Sequence, residues 1–292
     1  MHYATLLKTI KAPLRSALCM AGLLLTTACV ALLNASVPSD SYRVVTNVAY
    51  GNQARQTLDI YVPNDAKGPA NVLVFYYGGS WQWGSKEDYK FVGEAFASLG
   101  YVTVIADYRL YPEVYFPTFV EDSAAALVWV HAHIGEYGGN AKNIFVSGHS
   151  AGAFNAVMLS VNPTYLKQAG GDVSMIQGTL GIAGPYDFLP FTDPDIIALF
   201  SKTPDAQTQP ITYANHKTTP IFLATGNEDT TVYVKNSVNL AKALTDKGTQ
   251  VELKRYDDVA HIGIVLSLAS GFRGKAPLRD DMDAFMKRTA QQ

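Results

Sequence analysis

The chain has 292 residues, of which 48% are hydrophobic and 16% charged, enough apolar material to bury one large core as a single domain. Its 23 Lys and Arg residues are scattered against 25 Asp and Glu for a formal net charge of −2, so there is no basic stripe to hold a nucleic-acid backbone. No glycine-rich loop is followed by Lys-Ser or Lys-Thr, which removes the phosphate cradle of the nucleotide-binding classes.

The N-terminus carries Lys8, Lys11 and Arg15 ahead of an uncharged stretch, residues 16–39, that contains Leu23-Leu24-Leu25 and many alanines. Basic-then-apolar order is what export machinery reads, so residues 1–35 are expected to be an export signal or lipoprotein leader outside the fold. Three fates are open: lipid attachment at Cys29 after Thr26-Thr27-Ala28, cleavage after Ala35, or retention as a membrane anchor, since the run is long enough to span a bilayer. Each places the protein outside the cytoplasm, as a periplasmic, secreted or membrane-attached species. Cys19 and Cys29 are the only cysteines, so the folded body, residues 42–292, has neither a disulfide nor a thiol nucleophile.

Residues 42–50 and 55–62 alternate as two antiparallel strands joined near Gly51-Asn52. After them the pattern changes to buried runs at residues 72–76, 101–105, 144–146, 178–183 and 221–224, separated by helical segments. That is the pattern of a largely parallel sheet covered on both faces. Helical stripes fall at Phe91, Ala95, Phe96 and Leu99 in the segment Lys86 to Leu99, then at Val120, Ala124, Leu127, Val128, His131 and Ile134, and again at Val234, Val238, Ala241 and Leu244. Residues 188–217, rich in Pro, Thr, Asp and Gln, break the alternation and are expected to be a cap inserted over the carboxyl ends of the strands. Its Phe191, Ile196, Ile197, Leu199 and Phe200 could line an acyl pocket, but their spacing favours the packed side of a short helix.

The chemistry is concentrated in Gly148-His149-Ser150-Ala151-Gly152, which stands between a β-branched apolar run and a run of small helical residues. In that setting G-x-S-x-G is a nucleophile elbow, a strained strand-to-helix turn whose neighbours must be small. A serine that attacks carbonyls needs a base, an acid to orient the base and an oxyanion hole, and each has a candidate in the required chain order. Residues 72–81 form a buried strand running into Gly78-Gly79-Ser80-Trp81, a second source of oxyanion N–H groups beside that of Ala151. Residues 220–225 form another buried strand followed by Gly226-Asn227-Glu228-Asp229, and residues 250–256 lead into a loop carrying His261, the only histidine after Asp229. Glu228, Asp257 and Asp258 are neighbouring carboxylates that the order alone does not remove. His149, at the x position of the elbow, is expected to pack or face solvent rather than to take a second catalytic role. His131 and His133 alternate on a helix and share no face, which argues against a metal site, and nothing in the chain calls for a cofactor.

With these motifs in place the chain resembles the α/β-hydrolases of the esterase and lipase type whose oxyanion motif is H-G-G-x-W, a group that includes bacterial carboxylesterases, acetylxylan and feruloyl esterases and arylformamidases. The resemblance rests on Gly78-Gly79-Ser80-Trp81, Asp107-Tyr108-Arg109-Leu110 with Pro112, the elbow, Gly226 to Asp229 with Val232, and His261. It implies an α/β-hydrolase fold from about residue 42 to the C-terminus, with Ser150 as nucleophile, Asp229 as acid, His261 as base, and Gly79, Ser80 and Ala151 as oxyanion donors. It also implies that Asp107, Tyr108 and Arg109 are a structural brace. The histidine that opens the motif is replaced here by Tyr77, which is expected to brace the same loop. The expected substrate is a small carboxylic ester, with an aryl formamide or a lactone as alternatives on the same site; the rival from another class is a non-catalytic binding protein built on this fold.

Overall fold

A computed structural model describes residues 33–65 and 67–291. The expected leader therefore lies, through residue 32 and with both cysteines, outside the described residues. Among the described residues no helix is long and apolar enough to cross a membrane.

Eight strands form one sheet: β1 (Tyr42–Ala49), β2 (Thr57–Pro63), β3 (Ala70–Tyr76), β4 (Val102–Ala106), β5 (Gly139–His149), β6 (Gly178–Ile182), β7 (Ile221–Gly226) and β8 (Val251–Tyr256), in the order β1-β2-β4-β3-β5-β6-β7-β8. The first two joins, β1 to β2 and β2 to β4, are antiparallel, and every later pair is parallel. This is the α/β-hydrolase arrangement that the alternation of buried runs and helical stripes implies. Val72 to Tyr76 are wholly buried because helices cover both faces of a parallel sheet, so those strands read as unbroken apolar runs. Strand β2 is buried at every residue after Thr57, and β1 beside it on the edge also departs from the expected alternation, with Tyr42 buried, Val45 and Val48 half-buried and the rest exposed around a bulge between Val45 and Val48. There Asn47 adopts φ 56° and donates its N–H to Asp59 Oδ1 at 2.8 Å.

The chain leaves β3 toward β4 on one side, then returns to place β5 on the other. The carboxyl ends of β3 and β5 are therefore the point at which strand order reverses, where open α/β sheets form their crevice. The glycine turn after β3 and the elbow after β5 both fall there. The helix Ala151–Val161 leaves this point buried along its whole length, packed on β5 and β6 and against the helix Thr118–His133.

Two helical expectations shift. The stripe through Phe91 and Leu99 does not begin at Lys86: a 3-10 turn, Lys86–Tyr89, precedes the helix Lys90–Ala97, and Ser85 caps it by donating its N–H to Asp88 at 3.0 Å. In the helix Lys235–Thr245 the buried face is Ser237, Leu240, Ala241 and Leu244, and Val238 is exposed rather than part of the stripe. Asn236 sets that rotation, because its Oδ1 accepts the N–H groups of Tyr186 at 2.9 Å and Asp187 at 2.8 Å. Buried polar partners of this kind outrank one valine.

The elbow helix approaches β3 so closely that a Cβ on Gly152 would collide with the carbonyls of Tyr76 and Tyr77. Gly152→Val is expected to destabilise the fold by about 2–3 kcal/mol or more, lowering Tm by roughly 5–10 °C in a calorimetric scan.

Candidate active site

Strand β5 ends at His149 and a helix starts at Ala151, which leaves one residue to make the turn. Ser150 makes it at φ 55°, ψ −121°, a conformation that costs a residue with a Cβ about 1–3 kcal/mol and persists only when its surroundings enforce it. They do so here: the Ser150 N–H donates to the Ile182 carbonyl at 2.9 Å, and a Cβ on Gly148 would run into the backbone of Gly152. The result is a serine hydroxyl raised at the carboxyl edge of the sheet.

Beyond β7, a Cβ on Gly226 would collide with the Val259 carbonyl, so the turns after β7 and β8 lie against each other. This close approach brings Asp229 and His261 together across 32 residues of chain. Asp229, fully buried at its side chain, accepts the N–H groups of Thr231 at 2.9 Å and Val232 at 2.8 Å on Oδ1. Its Oδ2 stands 2.7 Å from His261 Nδ1, and His261 Nε2 stands 2.9 Å from Ser150 Oγ. A carboxylate only accepts, so the imidazole hydrogen sits on Nδ1 and the Nε2 lone pair faces the serine hydroxyl. The other carboxylates near this pair, Glu228, Asp257 and Asp258, are exposed, and Asp257 takes a hydrogen bond from the Asn227 side chain. His261 does not sit in a loop as expected but opens a short helix, His261–Leu266, whose Ile264 and Val265 are buried.

Gly79, Ser80 and Trp81 all have positive φ, at 124°, 52° and 57°, and the Gly79 carbonyl accepts the N–H groups of Gln82 and Trp83. The N–H groups of Gly79, Ser80 and Ala151 donate to no acceptor among the described residues. Ser80, Ala151 and Ser150 line one cavity of about 430 Å³, and Gly79 is not among its lining residues.

Tyr77 holds this turn from beneath. Its phenol donates to Asp107 Oδ1 at 2.8 Å and accepts from Arg55 Nη2 at 2.6 Å, and its ring lies between Tyr108 at 4.8 Å and Tyr89 at 5.7 Å. Burial pushes the phenol well above its ordinary pKa, so it is a permanent hydrogen-bond donor. Tyr108 donates to the Tyr77 carbonyl at 2.7 Å, Arg55 reaches the Gly84 carbonyl at 2.6 Å, and Asp107 also accepts the Lys86 N–H at 2.9 Å. Arg109 pairs with Asp122 at 2.7 Å. Asp107 and Tyr108 are thus bonded into the support of the turn, Arg109 is tied instead to the helix Thr118–His133, and none of the three lines the cavity.

The opposite wall comes from the expected cap. Trp81 is buried, donates from Nε1 to Asn155 Oδ1 at 3.0 Å, and packs on Phe119, Phe154 and Phe200 at 5.0–5.3 Å. The cap helix Pro194–Phe200 divides the two roles set out for its apolar residues: Leu199 and Phe200 are packed inside, Phe191 and Ile196 line the cavity, and Ile197 faces out. Among the described residues no cluster of His, Cys, Asp or Glu is arranged to hold a metal. His133 instead meets Glu136 at 3.0 Å on the surface. His149, expected to pack or face solvent beside the elbow serine, is buried directly beneath His261 with its Nε2 3.0 Å from the His261 carbonyl. A histidine inside the elbow was the one available signal of that contact.

The sheet order, the strained serine and the three-residue hydrogen-bonded chain define an α/β-hydrolase. More narrowly, the chain belongs to the BD-FAE family, whose model matches residues 58–244. It is 27% identical over 270 residues to a probable isoprenylcysteine alpha-carbonyl methylesterase of Oryza sativa subsp. japonica, covering 85% of this chain and 62% of that protein. A kynurenine formamidase of Salmo salar is 25% identical over 253 residues, covering 78% of each. The chain spans between 36% and 62% of the length of the isoprenylcysteine methylesterase relatives it matches. The fold superposes on Esterase B from Lactobacillus rhamnosis with a TM-score of 0.79 at 18% identity, over 96% of this chain and 97% of that one.

Removing the phenol of Tyr77 deletes two hydrogen bonds below the turn but none of the N–H groups on it. Tyr77→Phe is expected to lower turnover of an ester substrate by less than about tenfold, read as kcat in a steady-state assay. Replacement that also removes the stacked ring, Tyr77→Ala, is expected to cost both turnover and several degrees of Tm.

Proposed function

We propose that this protein is a serine hydrolase that cleaves carboxylic esters through an acyl-enzyme. The observation that supports this most directly is the unbroken chain from Asp229 Oδ2 through His261 to Ser150 Oγ, with contacts of 2.7 and 2.9 Å, opening on a cavity that also receives the free N–H groups of Ser80 and Ala151. Ser150 Oγ attacks the ester carbonyl carbon as His261 Nε2 takes its proton, and the negative charge on the carbonyl oxygen is met by the N–H groups of Gly79, Ser80 and Ala151. His261 then gives the proton to the departing alkoxide, which leaves as the alcohol. Water repeats the sequence on the acyl-serine, losing a proton to His261, and Ser150 recovers its own as the acid departs. Asp229 stays ionised throughout and stabilises the imidazolium. No cofactor enters any step.

The wall formed by Phe188, Phe191, Ile196 and Val232 favours an apolar group on the substrate, and a cavity of about 430 Å³ suits a small ester. Aryl formamides are the second reading, favoured by the similarity to the kynurenine formamidase, because the same serine, base and oxyanion donors serve a formyl carbonyl. Lactones fit the same chemistry. Comparing kcat/KM for short-chain p-nitrophenyl esters, acetylated xylan, lactones and aryl formamides decides among them. The leader, with its basic-then-apolar order, supports export, and mass spectrometry of the mature N-terminus distinguishes lipidation at Cys29, cleavage after Ala35 and a retained anchor.

Ser150→Ala is expected to lower kcat on the order of a thousandfold or more with the melting temperature unchanged or raised, since the strain at that position is kept and only the hydroxyl is lost. Purified Ser150→Ala protein that retains a third of parental activity contradicts the assignment. For the acid, Asp229→Asn is expected to be far more damaging than Glu228→Gln, Asp257→Asn or Asp258→Asn, read as kcat in the same assay, and a reversed order moves the acid elsewhere.

A further inference from the structure

His149 is a second histidine at the heart of the site, and none of the steps above uses it. It closes β5, so its position is fixed by the sheet, and its side chain is buried beneath that of His261 with ring centroids 4.7 Å apart. Its Nε2 meets the backbone carbonyl of His261 at 3.0 Å. A carbonyl accepts and never donates, so the hydrogen of His149 sits on Nε2, the opposite tautomer to His261. Its Nδ1 then carries a bare lone pair, buried and without a hydrogen-bond partner among the described residues, facing the backbone of Gly78. A Cβ on Gly78 would stand 3.0 Å from that nitrogen, from the His149 carbonyl oxygen and from the Ser150 Cβ, so the ring packs closely against the glycine.

We propose that His149 is a positioning residue: a neutral strut that ties the main chain of the base, His261, to the strand that carries the nucleophile, and so holds His261 Nε2 at its working distance from Ser150 Oγ. The inference rests on the esterase reading. Asp229 fixes the far side of the His261 ring and Ser150 receives its near side, but neither restrains the backbone of His261; among the side chains His149 does. The strut works only while neutral, because a second cation 4.7 Å from the ring that must become imidazolium would oppose proton transfer from Ser150. Burial, and then the neighbouring His261, push the His149 pKa down to about 3, so the ring remains neutral wherever the enzyme would operate. Leaving one imidazole nitrogen unpartnered is the structural cost of that neutrality.

The test compares His149→Leu, which fills the space without a donor, with His149→Gln, whose amide N–H reaches the position of Nε2 and stays neutral at all pH values. Misplacing the base by a fraction of an ångström acts on the chemical step, so His149→Leu is expected to lower kcat by about tenfold to a hundredfold while KM changes by less than about threefold. His149→Gln is expected to recover to within about threefold of the parent. A folded His149→Leu protein that loses less than tenfold in kcat overturns the inference, as does a His149→Gln protein as impaired as His149→Leu. Side-chain ¹⁵N NMR on the unaltered protein provides a readout independent of folding of the variants: His149 is expected as the neutral Nε2–H species from pH 5 to pH 8, and a ring that protonates in that range or carries its hydrogen on Nδ1 overturns the proposal. Absence of hydrolysis in the parent would strike the esterase reading instead, and the NMR signature would still decide the state of His149.

Discussion

The geometry of the site depends on one close approach, that of the elbow glycine Gly152 to the end of β3. Gly148 and Gly152 stand where any Cβ would strike backbone, Gly152 against the carbonyls of Tyr76 and Tyr77. Because these contacts are backbone on backbone, they leave no side-chain freedom to absorb a change. Ser150, just after β5, and the turn after β3 are thereby fixed relative to each other before any polar contact is made. Strand order reinforces this, since β3 and β5 are neighbours in parallel register through Tyr76 and Gly148.

The remaining partners are delivered by similar means. Gly226 lets the β7 turn touch the turn after β8, so Asp229 and His261 meet across a gap that no flexible loop would hold reliably. Beneath the turn after β3, Tyr77 supports the backbone with a phenol and two stacked neighbours. The phenol reaches Asp107 and Arg55, and Tyr108 secures the same residue through its carbonyl. The support surrounds the ring with partners, and it leaves the N–H groups of the turn pointing free.

Much of this was legible in the chain. Parallel strands buried on both faces carry unbroken apolar runs, so β3 to β7 announce themselves, and the motif order places Ser150, Asp229 and His261 without knowledge of distances. The segment 188–217, whose Phe191 and Ile196 line the cavity, was visible as a break in alternation. Less legible were features set by tertiary hydrogen bonds. Val238 fits a stripe on paper, yet Asn236 turns the helix to bring Leu240 inward. Lys86 belongs by composition to a surface helix, yet it is buried in a 3-10 turn beside Asp59 and Asp107. His149 looked like a filler within the elbow because its partner, a main-chain carbonyl, lies 112 residues away and leaves no trace in local pattern.

The central claim is that His261 activates Ser150 for attack on an acyl carbon. A fluorophosphonate probe reports that activation directly, because an ordinary serine hydroxyl does not displace fluoride from phosphorus at neutral pH. Peptide mapping by mass spectrometry after stoichiometric treatment is expected to find one adduct, on Ser150, with labelling slowed at least a hundredfold in His261→Ala. A folded protein that takes up no label, or carries it on another residue, would contradict the account.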